Sequence, residues 1–387
     1  MKVLRNRAVI ALLSFNLMAG MLFVGGALLV SFMRSFGTTP AQLGLILGTG
    51  WAASVFGALS GGYLTDRIGP RKMVLLSVAL VALGLLGKSL SQHWLQAGAW
   101  YLLVMGAQAA LGPAGKASLK AAVGEQVGSS LGFLNTALSA VAVPGAALTG
   151  WVVMRWGWSA LFAAKFATYV VALFMLLLLL PEVRVQARAQ ERSANWRFAL
   201  SNPALLSICV SVFVVTLGGY CHAFHPYFVQ DRFGSDVHRL ALFDSIYNGV
   251  WMLSNWPAGM LADRLGRGRI AASGYALMGL GWLLFPAAPS LLAIYAFYTI
   301  YCLGNSMGFY ASVFALDVAP EQVKGRAGGL FDAAMYLGST LGDGAGGLLW
   351  QHWGPQASFA VATLANGLGA LLLLLPGRPE ETHYKDH

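Results

Sequence analysis

Charge is what this chain has little of. Only 10% of its 387 residues are charged, where a soluble domain carries roughly 25%. Hydrophobic residues make up 57% and the mean hydropathy is +0.64. No water-soluble fold hides that much apolar surface, so the chain reads as an integral membrane protein. Its length suits about a dozen spanning helices of ~20 residues with short loops. Cysteine is scarce. Cys209, Cys221 and Cys302 all lie in apolar runs without metal or redox spacing, and read as packing thiols. No nucleophile–base constellation, metal-ligand cluster or phosphate loop is evident, so neither an enzyme nor a cofactor or metal is expected. Acidic residues number 15 against 25 basic ones. The basic excess sits in alternate loops, which is a topology signal and not a nucleic-acid patch.

What is present is a repeat. Gly62-Tyr63-Leu64-Thr65-Asp66-Arg67-Ile68-Gly69-Pro70-Arg71-Lys72 lies between two apolar runs. Gly259-Met260-Leu261-Ala262-Asp263-Arg264-Leu265-Gly266-Arg267-Gly268-Arg269 lies between two more, 197 residues later. Glu125-Gln126-Val127 and Glu321-Gln322-Val323 recur at an offset of 196. Two landmarks at nearly one offset mean two similar halves in the same orientation.

Twelve apolar spans can be counted, at 8–33, 41–64, 72–91, 96–120, 128–153 and 159–181, then 204–229, 240–262, 269–287, 291–316, 326–350 and 357–376. The expected domains are a six-helix bundle over 1–181, a basic linker over 182–202, a second bundle over 203–376 and a polar tail over 377–387. The basic start and first apolar run read as a retained transmembrane helix, because the run is too long for a signal peptide and no cleavage site is evident. Placing both termini in the cytoplasm puts 19 Lys and Arg on that side and five outside, with Lys165 inside a span. The expected location is the cell (inner) membrane, multi-pass, with lipid as surroundings. The chain is expected to be a monomer.

Twelve spans in two sixes, a basic central loop, and a Gly-x-Leu-x-Asp-Arg-x-Gly turn after spans two and eight together resemble the major facilitator superfamily of secondary transporters. The resemblance implies an all-α membrane fold, with two six-helix bundles related by a pseudo-two-fold axis that rock around a central cavity. It makes Gly62, Asp66, Arg67, Gly69 and Arg71, with Gly259, Asp263, Arg264, Gly266 and Arg267, the signature cytoplasmic loops. It sets Asp66 against the start of span eleven near Gly325 and Arg326, and Asp263 against the start of span five near Ser129 and Ser130. Such clasps would hold the cytoplasmic side shut. Physically, a carboxylate at such a place accepts hydrogen bonds from free helix amides and meets a positive dipole end. Asp317 and Arg326 complete the charged set in the second half, where the first half has Ala121 and Ser130. Span four lacks the interior arginine of many drug exporters, and span five has Pro144-Gly145 without the full antiporter pattern.

Polar residues inside spans mark candidate substrate or ion positions. Span eight carries Asp244, Asn248, Trp251 and Asn255 on one face. Tyr301 and Asn305 on span ten, Tyr336 on span eleven and Tyr220 on span seven join them, and Asn16, Gln108 and Asn135 are the first-half counterparts. Helix–helix hydrogen bonding is the plain alternative for each. Asp343, deep in span eleven between two glycines, is the candidate proton carrier, and Asp332 and Asp244, nearer the helix ends, rank behind it. His222 and His225 read as packing residues. Lys88 and Lys165 read as snorkelling ones, leaving no strong cation at mid-membrane. An aromatic, amide-rich cavity with one or two acids suits a small amphipathic molecule, neutral or cationic. Proton-coupled export of such a molecule is the leading reading. A proton-coupled symporter importing a sugar, organic acid or other nutrient stays open beside it, and a lipid translocase or a non-transporting sensor is further off.

Overall fold

The computed structural model describes residues 6–123, 127–182, 202–319 and 324–374. Among these every regular element is helical. The helices are α1 (Arg7–Met21), α2 (Gly26–Arg34), α3 (Pro40–Ile68), α4 (Pro70–Ser89), α5 (Trp94–Val123), α6 (Val127–Leu179), α7 (Pro203–Leu217), α8 (Cys221–Phe233), α9 (Val237–Leu265), α10 (Arg267–Leu284), α11 (Leu291–Gly308), α12 (Tyr310–Asp317) and α13 (Lys324–Leu374). Six helical stretches, one of them α7 and α8 taken together (Pro203–Phe233), are long and apolar enough to cross a membrane, and α1 with α2 makes a seventh if that bent pair is one span. Two of the six are 48-residue stretches, Gly132–Leu179 and Ala327–Leu374. Each is long enough for two crossings, and a non-helical glycine, Gly157 or Gly354, divides it. This is an all-α membrane fold, as expected. The basic linker but for its end residues 182 and 202, the tail and both Glu-Gln pairs lie outside the described residues.

The duplication is written into the backbone. Glycines with positive φ occur as Gly37 and Gly234, Gly69 and Gly266, and Gly157 and Gly354, each pair 197 apart. At Gly157 (φ 81°, ψ 174°) and Gly354 (φ 79°, ψ 176°) the backbone enters a region that essentially only glycine adopts. The N-caps repeat too. Asn6 accepts from the Ala8 amide and donates to the Ala122 carbonyl at 2.8 Å. Asn202, 196 residues on, accepts from Ala204 and Leu205 and donates to the Val318 carbonyl at 3.0 Å. Each asparagine caps one helix and ties it to the end of another.

Three of the expected spans are interrupted, which the apolar runs do not announce: span ten stops briefly at Phe309 between α11 and α12, and spans one and seven break over longer stretches. Span one breaks over Leu22–Gly25 and bends by 47° between α1 and α2. Span seven breaks over Gly218–Tyr220 between α7 and α8. The two breaks occupy corresponding positions in the repeat. Each contains or borders a Gly-Gly pair, Gly25-Gly26 and Gly218-Gly219.

Small residues set the helix contacts. A Cβ on Gly57 of α3 would meet the Gly106 carbonyl of α5 at 2.0 Å, and one on Gly61 would meet Ala110 at 2.5 Å. Gly338, Gly342 and Gly346, one turn apart on α13, lie against Thr216, Leu217 and Tyr220 in the same way. The chain forms two compact units. The first is Met1–Ala189 with His222–Met252, and the second is Gln190–Cys221 with Leu253 to the end.

Gly354→Ala should cost about 1–3 kcal/mol of stability, because no space is short there and only the backbone is strained. Gly367→Ala, helical and with open space around it, should be neutral or slightly stabilising. Thermal unfolding of both variants in detergent checks the contrast.

Candidate functional site

A helix that breaks inside a membrane frees amides on one side of the gap and carbonyls on the other, and lipid cannot satisfy either. In span one the protein supplies both partners. On the carbonyl side, Lys165 from α6 donates its Nζ to the Leu22 carbonyl at 2.7 Å. On the amide side, the Asp244 carboxylate from α9 accepts from the amides of Gly25 (3.1 Å), Ala27 (3.2 Å) and Leu28 (3.2 Å). Cation faces the C-terminal end of α1 and anion the N-terminal end of α2, so both match the helix dipoles. Both side chains are buried. Gly25 is required for this fit, since a Cβ there would sit 2.4 Å from Asp244 Oδ1.

The far end of α2 is held as well. Arg34 forms an ion pair with Asp231, bonds Gln230 Oε1 at 3.1 Å and stands 4.7 Å over the Tyr227 ring. The Tyr227 hydroxyl donates to the Thr38 carbonyl at 2.8 Å. His222 lies beside Gly26, and the His222 carbonyl meets His225 Nδ1 at 2.8 Å. Ser245 of α9 donates to the Val143 carbonyl of α6 at 2.8 Å. In the first unit, then, residues of α8 and α9 grip α2, the second segment of span one, at both ends.

Lys88 and Lys165 do not snorkel. Lys88 is 5% exposed, with Nζ 5.0 Å from the Tyr101 ring centre and 5.6 Å from that of Phe162. The expectation of snorkelling places both lysines by distance along the chain, which does not register the gap that Lys165 fills.

The second unit treats its break differently. The Tyr220 hydroxyl and the Cys221 thiol both donate to the Ser358 carbonyl, at 3.0 and 3.3 Å. Gly218 packs on Ala362 and Ala365. Asp343 is 7% exposed on α13, beside Gly342, which abuts the Thr216 and Leu217 carbonyls. The buried acid of this unit thus stands next to the break in span seven.

The remaining predicted positions divide by exposure. Asn16 donates to the Leu134 carbonyl at 3.1 Å. Gln108 is exposed and hydrogen-bonds the Tyr169 side chain, and Asn135 is exposed. Asn248 is buried and donates to the Asp244 main-chain carbonyl at 2.8 Å. Trp251 stacks on Tyr247 at 6.3 Å. The Asn255 carbonyl accepts from Tyr310 at 2.9 Å, and Asn305 and Tyr336 are partly buried. Tyr301 is buried, its ring 4.3 Å from that of Trp282 and 5.7 Å from that of Tyr298. Asp332 is exposed.

In the signature turns, Gly69 and Gly266 adopt φ of 90° and 96°, and their amides bond the Thr65 and Ala262 carbonyls. Asp66, Arg67, Asp263 and Arg264 are exposed. Arg267 joins Asp317 at 2.5 Å and Asp263 at 3.5 Å. Arg71 instead donates to the Leu177 carbonyl at 2.8 Å, and Arg67 stands over Tyr63. Gly259 leaves room for the Tyr310 hydroxyl, 2.7 Å from a Cβ placed there, whereas Gly62 faces open space. The opposite ends of the clasps expected for Asp66 and Asp263 include Ser129, Gly325 and Arg326, whose side chains lie outside those described.

Duplicated apolar helices with interrupted, internally capped spans define a polytopic membrane transporter. The Major Facilitator Superfamily model matches residues 10–224 and 208–387, and the chain belongs to that family. It is 24% identical over 362 residues to the uncharacterized MFS-type transporter MJ1317 of Methanocaldococcus jannaschii, covering 90% of this chain and 89% of that one. It is 21% identical over 320 residues to the uncharacterized MFS-type transporter YhjO of Bacillus subtilis (strain 168), covering 82% and 80%. Among solved structures it is similar to a mutant of the nucleoside transporter NupG, with TM-score 0.76, 13% identity and 96% and 99% coverage. It is likewise similar to a D-xylose-proton symporter, with TM-score 0.75, 14% identity and 95% coverage of both chains.

Gly25→Ala should displace the Asp244 carboxylate and lower the thermal stability of the purified protein. Gly26→Ala, whose nearest neighbour would be 3.6 Å away, should leave it within about 0.5 kcal/mol of wild type. Equal losses in the two would show that the carboxylate does not constrain residue 25.

Proposed function

We propose that the chain is a proton-coupled secondary transporter that exports a small amphipathic molecule by alternating access, with both termini in the cytoplasm and as a monomer in the cell (inner) membrane. The observation that carries this is the pair of helix breaks at corresponding positions of the two halves. Interrupted spans at matching places in a repeat are where secondary transporters expose backbone groups to substrate and ions. Asp343 beside the second break is the proton carrier in this reading, with Asp332 nearer the surface. Asn16, Gln108, Asn135, Trp251, Asn255, Asn305 and Tyr336 keep partial or full exposure and supply the amide and aromatic lining. Asp66 and Asp263 clasp helix N-termini of the opposite half, Asp317 and Arg326 serve the same region, and releasing these contacts opens the cytoplasmic side.

A second reading is proton-coupled import of an organic acid or similar nutrient. Lys88 favours it, because this buried cation has two aromatic rings and no ion-pair partner among the described residues. A substrate carboxylate would complete such a site.

Asp343→Asn should lose pH-gradient-driven accumulation in proteoliposomes while substrate binding is retained. Full gradient-driven accumulation in that variant would remove Asp343 as the carrier. Asp66→Ala should raise the labelling of cysteines placed on the cytoplasmic side. Unchanged labelling would refute the clasp.

A further inference from the structure

We propose that Asp244 is a second coupling residue, one that binds either the N-terminus of α2 or a proton, and so links proton uptake to release of the outer segment of span one. The inference rests on the proton-coupled reading above and adds to it a residue on a different span.

The geometry carries the argument. An ionised carboxylate is acceptor-only, and here both oxygens are used, Oδ2 by Gly25 and Leu28 and Oδ1 by Ala27. A protonated carboxyl brings a hydrogen that must point at an acceptor. The facing groups on α2 are all amide donors, so the neutral acid's hydrogen finds no acceptor there, and the bonds it still accepts lose their charge assistance. No ion pair with a cation offsets the Asp244 charge among the described residues. The amides and the dipole of α2 are its counterpart, and they leave when α2 leaves. A carboxylate stripped of those donors inside a membrane protein takes a proton in their place. Proton and helix therefore compete for one buried group, which is the definition of coupling between two equilibria.

The position suits the task. Asp244 belongs to the second half of the repeat and α2 to the first, so their separation is the event that must accompany opening on the Arg34 side. At the other end of α2 the grip is an ion pair of Arg34 with Asp231, half exposed and weaker for it, together with hydrogen bonds of the neutral Gln230 and Tyr227 side chains. Four further titratable groups lie on the elements packed about this break. They are His222 beside Gly26 and His225 one turn along α8, Tyr247 on α9, and Lys165 of α6 across the break. The histidines are the competing source of any pH response, and the test separates them.

Spin labels on cysteines placed at the exposed positions Ser35 and His238, with the three native cysteines replaced, report the separation of the two halves by pulsed electron resonance in lipid nanodiscs. Lowering the pH from about 8 to about 5 should shift wild type from the short to the long distance. Asp244→Asn, which carries a donor as the protonated acid does, should show the long distance throughout and lose the pH shift. Asp244→Glu should keep the shift, and this control guards against a folding defect in the amide variant. A wild-type shift that persists unchanged in Asp244→Asn overturns the assignment of Asp244 alone. A shift lost in His222→Gln or His225→Gln with Asp244 intact gives the role to the histidine and overturns it too. A wild type with no pH response, together with no gradient-driven transport, overturns the proton-coupled reading itself.

Discussion

A backbone amide or carbonyl in lipid has no water to turn to, and the breaks in spans one and seven obey that constraint. Each gap costs several kcal/mol per orphaned group unless the protein fills it. Lys165 and Asp244 fill the first. Around the second, the Tyr220 and Cys221 side chains bond the Ser358 carbonyl and glycines of α13 press on the carbonyls of α7. The two solutions differ in kind. The first uses full charges from distant spans, and the second uses neutral donors and close packing. A charged cap can be switched by a proton, whereas a packed one holds its neighbours in place. The duplicated chain thus has one break suited to movement and one set beside a buried acid.

Much of the architecture is legible in the apolar runs. All twelve expected spans correspond to helices, and the turn glycines Gly69 and Gly266 sit where the repeated motif puts them. Legibility ends where the pattern stays apolar through a change of backbone. Leu22-Phe23-Val24 looks like membrane helix by composition, yet the helix stops there. The available signal is the Gly-Gly pair at each break, which general glycine richness masks. The asparagine caps escape a search of the spans because Asn6 and Asn202 sit just outside them.

The candidate site is legible in part. Asp244 stands out as an intramembrane acid, but its place nearer the helix end sets it below Asp343. What makes it notable is a partner more than two hundred residues away, and no local pattern encodes that. Lys165 misleads for the same reason. Tyr301 reads as lining from its spacing, whereas its ring is packed between Trp282 and Tyr298. Spacing reports which residues share a face, and not which neighbour that face meets.

Coupled movement of a small molecule is the central claim. The direct measurement is wild-type protein in liposomes, with a pH gradient imposed in either direction and a mixed panel of amphipathic cations, sugars and organic acids followed by mass spectrometry. Accumulation of an amphipathic compound against the flow of protons is the expected result. Movement of no compound under either gradient would contradict it, and accumulation of a hydrophilic nutrient along with protons would replace export by import.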